Sequence, residues 1–281
     1  GERKVGKYIL KRIALAFVTI WAVATITFFL MNLVPGGPFL SEKAISPAAT
    51  KALEAKYGLD KPMAERYFTY ISDAAHGDFG DSLKQRGRTV MDIIATKFPV
   101  SARLGGMAVV LALCVGVPLG VLAAYKRGTF IDSLFSVIAT CGIAVPGFVI
   151  CTLLLYVFGV KLQWLPTLGL KSAQSYIMPV VALAAYPTSY IMRLMRSSML
   201  DVLGQDYMRT AKAKGLSQKV SLFKHALRNA ILPVITYVGP MLAYTLTGSF
   251  VTEKIFTIPG LGGEFIKAIN GRDYTMIMGT P

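Results

Sequence analysis

Few residues in this chain could do chemistry, and their placing excludes most reactions. Fifteen Asp and Glu are spread over 281 residues. None falls in the central turns of an apolar run; Asp132 and Glu253 stand at the ends of theirs. Proton- and ion-coupled carriers usually place ionisable groups near the bilayer midplane, which counts against that class, although a sodium site built from carbonyls alone stays open. His76 and His225 fall on opposite sides of the membrane in the topology derived below, so they cannot share a metal. The acids and His225 also fall on different faces, so no Ser/His/Asp set can be placed together, which argues against an intramembrane hydrolase. Cys114, Cys141 and Cys151 all lie in apolar runs and read as small hydrophobes rather than ligands or a disulfide framework. No G-x-x-x-x-G-K-[ST] loop is present to cradle phosphates. Gly260-Leu261-Gly262-Gly263 resembles a dinucleotide loop but follows no βαβ pattern, so it reads as a turn. The chain is expected to carry no catalytic residue, no metal and no cofactor of its own.

One polar stretch is informative. Leu200 to Pro233 reads LDVLGQDYMRTAKAKGLSQKVSLFKHALRNAILP and joins two apolar runs, yet is far longer than a turn. Asp206 is placed to cap a short helix, Tyr207–Lys214, with Gly215 as its stop. A second helix, Gln218–Asn229, then leads into the next apolar run. Ala211 and Ala213 keep the short helix slim, and Tyr207 and Met208 give it an apolar anchor. Such a helix suits a groove on another protein; an amphipathic helix lying on anionic lipid fits the composition equally well.

The elements around it are those of a membrane protein. The chain is 54% hydrophobic and 16% charged, against about 25% charged in an ordinary soluble domain, and its mean hydropathy is +0.54. A net charge of +15 and a pI near 9.8 could signal a nucleic-acid partner. Here the bases fall between apolar runs, the pattern of cytoplasmic loops, and no nucleic acid is expected. Runs of about 20 apolar residues can cross a bilayer. Five candidates are Ile13–Val34, Val100–Tyr125, Ile131–Val160 with a break at Pro146-Gly147, Ile177–Leu194, and Ala230–Val251 with Gly239-Pro240 in its middle. Those four Pro and Gly residues read as hinges or as ordinary kinks between packed helices. Tyr274–Pro281 looks like the opening of a sixth span. The first run is too long for a signal-peptide core and ends at Pro35-Gly36-Gly37-Pro38, a helix stop; residue 1 is Gly, so the natural start is expected upstream.

Arg3, Lys4, Lys7, Lys11 and Arg12 precede the first span, Lys126 and Arg127 follow the second, and Arg193, Arg196, Arg209, Lys212, Lys214, Lys219, Lys224 and Arg228 cluster around the long loop. The opposite side offers only Lys161 and Lys171 in its short loop. The positive-inside rule puts the N-terminus and the 200–229 loop in the cytoplasm. The expected organisation is a cytoplasmic N-terminus and first span over 1–34, an extracytoplasmic segment over 35–99, and a helical core over 100–281. The outer segment has helical composition at Pro47–Tyr57 and Pro62–Ala75 and a turn at Gly77-Asp78-Phe79-Gly80; at this length it reads as a small folded cap. No internal repeat is apparent, which weakens an inverted-repeat transporter.

The long loop resembles the so-called EAA loop of permeases in binding-protein-dependent ABC importers. The run Asp206-Tyr207-Met208-Arg209-Thr210-Ala211-Lys212-Ala213-Lys214-Gly215-Leu216, with His225-Ala226-Leu227 and Leu232-Pro233, is similar to the dipeptide, oligopeptide and nickel branch. So are Tyr8-Ile9-Leu10-Lys11-Arg12, Tyr57-Gly58-Leu59-Asp60-Lys61-Pro62, Gly77 through Ser82, Gly248 through Glu253, and Pro259-Gly260-Leu261-Gly262. Arg209-Thr210-Ala211 replaces the general Glu-Ala-Ala, as is usual in the peptide branch, and the long outer segment looks like the B-type subunit.

The resemblance implies an all-α polytopic fold of the type I importer permeases, with five spans visible and a sixth outside this chain. It implies a multi-pass protein of the bacterial or archaeal inner membrane and an importer of dipeptides or oligopeptides, with a nickel-type importer as the alternative. The implied partners are a homologous C-type permease, two ATP-binding subunits that carry ATP and Mg, and an extracytoplasmic solute-binding protein, all in a lipid bilayer. Tyr207, Met208, Arg209, Thr210, Ala211, Lys212, Ala213 and Gly215 would form the ATPase-coupling helix. Thr236, Tyr237, Tyr244, Thr245, Thr247 and Ser249 would line the path, although hydrogen bonds between packed helices explain them equally well. Two rivals from other classes are a stand-alone secondary transporter or channel and a membrane scaffold.

Overall fold

A computed structural model describes residues 2–33, 39, 47–85, 87–217, 220–247 and 249–280. The expected stop at 35–38 and Gly248 lie outside them. In chain order the helices are α1 (Glu2–Leu33), α2 (Pro47–Lys56), α3 (Met63–Ala75), α4 (Val90–Tyr125), α5 (Phe130–Ala144), α6 (Gly147–Leu154), α7 (Ile177–Leu203), α8 (Asp206–Ala213), α9 (Leu227–Ala230), α10 (Leu232–Leu246), α11 (Phe250–Ile255), α12 (Leu261–Gly271) and α13 (Tyr274–Gly279). Wide π turns at Leu155–Lys161 and Ser221–Ala226 extend α6 and lead into α9. The chain forms two compact units, Lys97–Gly263 and Gly1–Thr96 with Glu264–Pro281.

Among the described residues, four stretches are long and apolar enough to cross a membrane: Val5–Leu33, Val90–Tyr125, Ala173–Leu203 and Leu232–Ile255. The expected third span is a pair, α5 and α6 with its π turn, bent by 102°. Pro146 causes the bend. It has no N–H to continue the ladder, and Val145 before it adopts an extended conformation, φ −76° and ψ 122°. The second span begins ten residues before the expected Val100. Thr89 starts it by accepting the N–H of Asp92 on its hydroxyl at 3.0 Å, and Pro99 is carried inside the helix. Proline is tolerated in a membrane helix because neighbouring groups satisfy the freed carbonyl.

The Lys97–Gly263 unit is built around α7. Its small-residue contacts let backbones approach closely, the packing mode that replaces the hydrophobic effect in lipid. Gly116 and Gly120 of α4 lie against Thr188–Ile191 and Met192–Arg196 of α7, where a Cβ on Gly120 would meet the Met192 carbonyl at 2.6 Å. Val109, Ala112, Met195, Met199, Met208, Leu222, Ala226 and Val234 form one buried cluster at the loop end of α7. Leu104, Ala108, Cys151, Met178, Ala184, Phe256 and Ile258 form another towards its start.

In the other unit, Phe28 of α1 is buried among Phe29, Tyr67 and Tyr70 with ring centroids 5.4 to 5.8 Å away. The α3 tyrosines are pinned at their polar ends. Tyr67 and Thr25 share a hydrogen bond of 2.8 Å, and Tyr70 donates to the Met278 carbonyl at 3.0 Å. Asp273, buried, accepts the Ser82 hydroxyl and the Leu83 N–H, the latter at 3.0 Å. The helices expected at Pro47–Tyr57 and Pro62–Ala75 are present as α2 and α3, and the turn at 77–80 has Gly77 and Gly80 at φ +79° and +77°. The residues expected to open a sixth span form α13, six residues long.

Filling the α4–α7 contact tests the packing. Gly120→Val should cost about 1–3 kcal/mol, as overpacked cores do, and lower the thermal midpoint of the purified chain. Gly106→Ala, where a Cβ meets nothing within 4 Å, should leave it unchanged or slightly raised.

Candidate functional site

The helix expected in the long loop is α8, displaced one residue towards the N-terminus from Tyr207–Lys214. Asp206 is its first residue rather than its cap. The Gln205 carbonyl accepts the N–H groups of Met208 and Arg209 at 3.0 and 3.4 Å, which draws Asp206 into the first turn. There its carboxylate still faces the positive end of the helix dipole. Only Gly204 and Gln205 separate α8 from α7, and their N–H groups bond back to Leu200 and Val202 at 3.2 and 3.1 Å.

Met208 is the anchor. Its side chain is 1% exposed and sits in the cluster with Met195, Met199, Leu222 and Ala226. The rest of the described helix faces outward. Tyr207 is 44% exposed, and its hydroxyl accepts from Asn229 at 3.3 Å. Arg209 and Thr210 are exposed, and the Arg209–Asp206 pair at 3.6 Å is exposed at both ends, so it adds little stability. Gly215 ends the element at φ +76° with open space where a Cβ would be, the left-handed geometry of a helix stop. The side chains of Ala211 and Lys212, with residues Gln218 and Lys219, lie outside the described residues.

A concave surface runs along α7. One lobe of about 560 Å³ is lined by Pro146, Gly147, Tyr186, Pro187, Tyr237, Pro240, Tyr244 and Ser249. The next, about 600 Å³, is lined by Ser136, Thr140, Tyr186, Tyr190, Arg193, Arg196 and Ser197. Ile143 and Tyr186 belong to both lobes. Of the path residues expected from sequence, Tyr237, Tyr244 and Ser249 line the first lobe. Thr236 and Thr247 bond back to the Leu232 and Ala243 carbonyls, each at 3.0 Å. Thr245 is 1% exposed and spends its hydroxyl on the Met241 carbonyl at 2.7 Å. It faces a helix contact, not the cavity. Tyr186, Tyr190, Arg193 and Ser197 were not singled out from sequence as path residues. Their spacing of four, three and four residues, one face of a helix, is the signal that identifies them.

The loop at 260–263 has a different use from the one its glycines suggest. Glu253 of α11 is 1% exposed. Its carboxylate accepts the Ser101 hydroxyl at 2.6 Å and the Gly263 N–H at 2.8 Å, while Ser101 accepts the Leu261 N–H at 2.9 Å. A Cβ on Gly260 would fall 2.5 Å from the Glu253 carboxyl carbon. The glycines make room for an internal carboxylate, which occupies the amide cradle that a phosphate would use elsewhere. Among the described residues, no three His, Cys, Asp or Glu side chains are grouped to hold a metal.

The profile of the binding-protein-dependent transport system inner membrane component family matches residues 116–280, and that of the family's N-terminal region matches residues 5–105. The chain belongs to this permease family. It is 46% identical to a dipeptide transport system permease protein of Bacillus subtilis (strain 168) over 98% of its own length and 89% of that protein's. It is 43% identical to an oligopeptide transport system permease protein of Salmonella typhimurium (strain LT2) over 97% and 90%. The fold is shared with a chain of the MetNI methionine ABC transporter in inward-facing conformations, at 16% identity and TM-score 0.53 over 67% of this chain and 88% of that one. It is shared also with a chain of an amino acid ABC transporter crystallised with histidines, at 16% identity and TM-score 0.50 over 68% and 85%. The family membership makes this a multi-pass membrane permease subunit and not an enzyme. The expected all-α type I permease fold is the fold found.

The permease depends on Glu253 for the order of its 260–263 loop. Glu253→Ala leaves Ser101 and the Gly263 amide without their acceptor, a loss of about 1–3 kcal/mol for each buried group. The variant should yield less folded protein and melt earlier in detergent, whereas Asp73→Ala, at an exposed position of α3, should not.

Proposed function

We propose that this permease is one half of the translocation path of an ATP-driven importer of dipeptides or oligopeptides. The observation that carries the reading is the docking of α8. A short helix is held to the base of α7 by one buried methionine and presents Tyr207, Arg209 and Thr210 outward. That arrangement suits a groove on another subunit. The identities with peptide permeases over nearly the whole chain support the substrate class.

In this reading α8 sits in a cytoplasmic ATPase subunit, one of two that bind ATP and Mg. A homologous C-type permease forms the other half of the path, and an extracytoplasmic binding protein delivers the peptide. The basic residues around α8 and before α1 support a cytoplasmic N-terminus and 200–229 loop, in this reading at the inner membrane of a bacterium or archaeon. Alternating access follows from the connection between α8 and α7. A helix of 27 residues is about 40 Å long, and only two residues join it to α8. When ATP draws the ATPases together, α8 moves with its groove and carries α7 with it. The break at Pro146-Gly147 and the prolines carried inside α7 and α10, Pro187 and Pro240, border one cavity and give that motion a place to open and close.

The assignment is checked in the assembled importer. Gly215→Leu forces a side chain into a left-handed position, and Ala211→Trp adds bulk to the docking helix. Both should leave the chain in the membrane and ATP hydrolysis within about twofold of normal while peptide uptake falls at least about tenfold, a cost of roughly 1.4 kcal/mol or more in coupling. Normal uptake in both variants would remove α8 from the coupling role.

A further inference from the structure

The α7 face contains two arginines, three residues apart, with opposite circumstances. Arg196 is neutralised: its Nε and Nη2 donate to the two oxygens of Asp132 at 2.6 and 2.8 Å, and Asp132 also accepts the Gly128 N–H at 3.0 Å. Arg193 is exposed to the cavity and has no carboxylate partner among the described residues. It shares its face with Tyr190 and Tyr186, whose rings stack at 6.3 Å, and Tyr237 of α10 meets Tyr190 at 4.4 Å. Among the described residues the hydroxyls of Tyr186, Tyr190, Tyr237 and Tyr244 have no hydrogen-bond partner. Among the described residues no carboxylate lines either lobe of the cavity.

We propose that Arg193 receives the C-terminal carboxylate of a peptide in transit, with Tyr186, Tyr190 and Tyr237 flanking its backbone. The inference rests on the reading of this chain as a peptide permease. Two features of the cavity choose this occupant. A guanidinium without a partner matches a carboxylate fork to fork, and the absence of an acid leaves nothing to select an ammonium group. From Tyr186 to Arg193 is seven residues of helix, about 10 Å, the reach of about three extended residues. Arg193 stands at the end of the cavity nearer α8, so the peptide travels carboxylate first towards the coupling loop.

The test uses the complete importer in proteoliposomes with three forms of one tripeptide: free acid, C-terminal amide and N-acetyl. Each is preloaded on the binding protein, and uptake is expressed per loaded protein. Arg193→Gln should lower import of the free acid and the N-acetyl form about tenfold, the order expected for a lost charged hydrogen bond. It should leave the amide and the ATPase rate unchanged. Arg193→Lys, which keeps the charge without the fork, should fall between. Equal loss of all three peptides would assign Arg193 to a lipid phosphate or to an acid of the partner permease and overturn the proposal, as would no loss at all. If Arg193→Gln does not assemble, the same ratio read from Arg193→Lys decides. Wild-type importer that takes up none of the three would instead overturn the peptide reading itself.

Discussion

A carboxylate taken out of water must find its hydrogen bonds inside the chain, and this requirement shapes the ends of the helices. Three of the buried acids, Asp132, Glu253 and Asp273, sit in or beside a helical first turn and accept from backbone amides. Burying an isolated charge costs several kcal/mol even after relaxation, so the acids persist only because the surrounding loop is folded around them. For Glu253 the loop is glycine-rich because any Cβ at position 260 would occupy the space of the carboxylate. The carboxylate in turn holds the 260–263 turn against Ser101 of α4. Loop, acid and helix form a single dependency, so altering one member disturbs the others.

The coupling end uses the opposite device. Met208 seats α8 with an unbranched, adaptable side chain among Met195, Met199 and Leu222. An ion pair at that position would be rigid and directional. A methionine among methionines tolerates small rotations while resisting withdrawal, which suits a joint that must transmit motion in both directions. Next to it the chain is stiff, because α7 runs unbroken from Ile177 to Leu203. The adaptable contact and the rigid rod therefore lie one turn apart.

Much of this was legible in the sequence. Apolar runs located the spans, and the outer helices and glycine turns followed from composition and capping. The differences have physical causes. Apolarity ends near Leu194, but α7 continues as an amphipathic helix whose Met195 and Met199 are buried, a stripe that a search for uniform runs passes over. Pro99 resembled a boundary because proline usually ends helices in water; inside a membrane protein it did not. Asp206 had the chemistry of a cap, yet the Gln205 carbonyl took the first bonds. Thr245 resembled a path residue by polarity, but a hydroxyl can satisfy itself on the carbonyl four residues earlier, and polarity alone does not reveal which choice a threonine makes. The Glu253 clasp joins residues 152 positions apart, a distance that no local pattern spans.

The tyrosines along the α7 cavity bear on what the face meets. A hydroxyl surrounded by hydrocarbon with no acceptor costs about 1–3 kcal/mol, and Tyr186, Tyr190, Tyr237 and Tyr244 all leave theirs unpaired among the described residues. Four such losses on one lipid-facing surface would exceed what a single helix contact returns. Thr236, Thr245 and Thr247, on the same α10 segment and its end, all bond back to their own helix. The contrast separates polar groups that have been made inert from polar groups kept available. Water, a peptide backbone or both can satisfy the tyrosines, and their flat rings offer contact area without fixed hydrogen-bond geometry. A surface of that kind holds successive peptide units weakly and similarly, which is what passage of many sequences through one path requires.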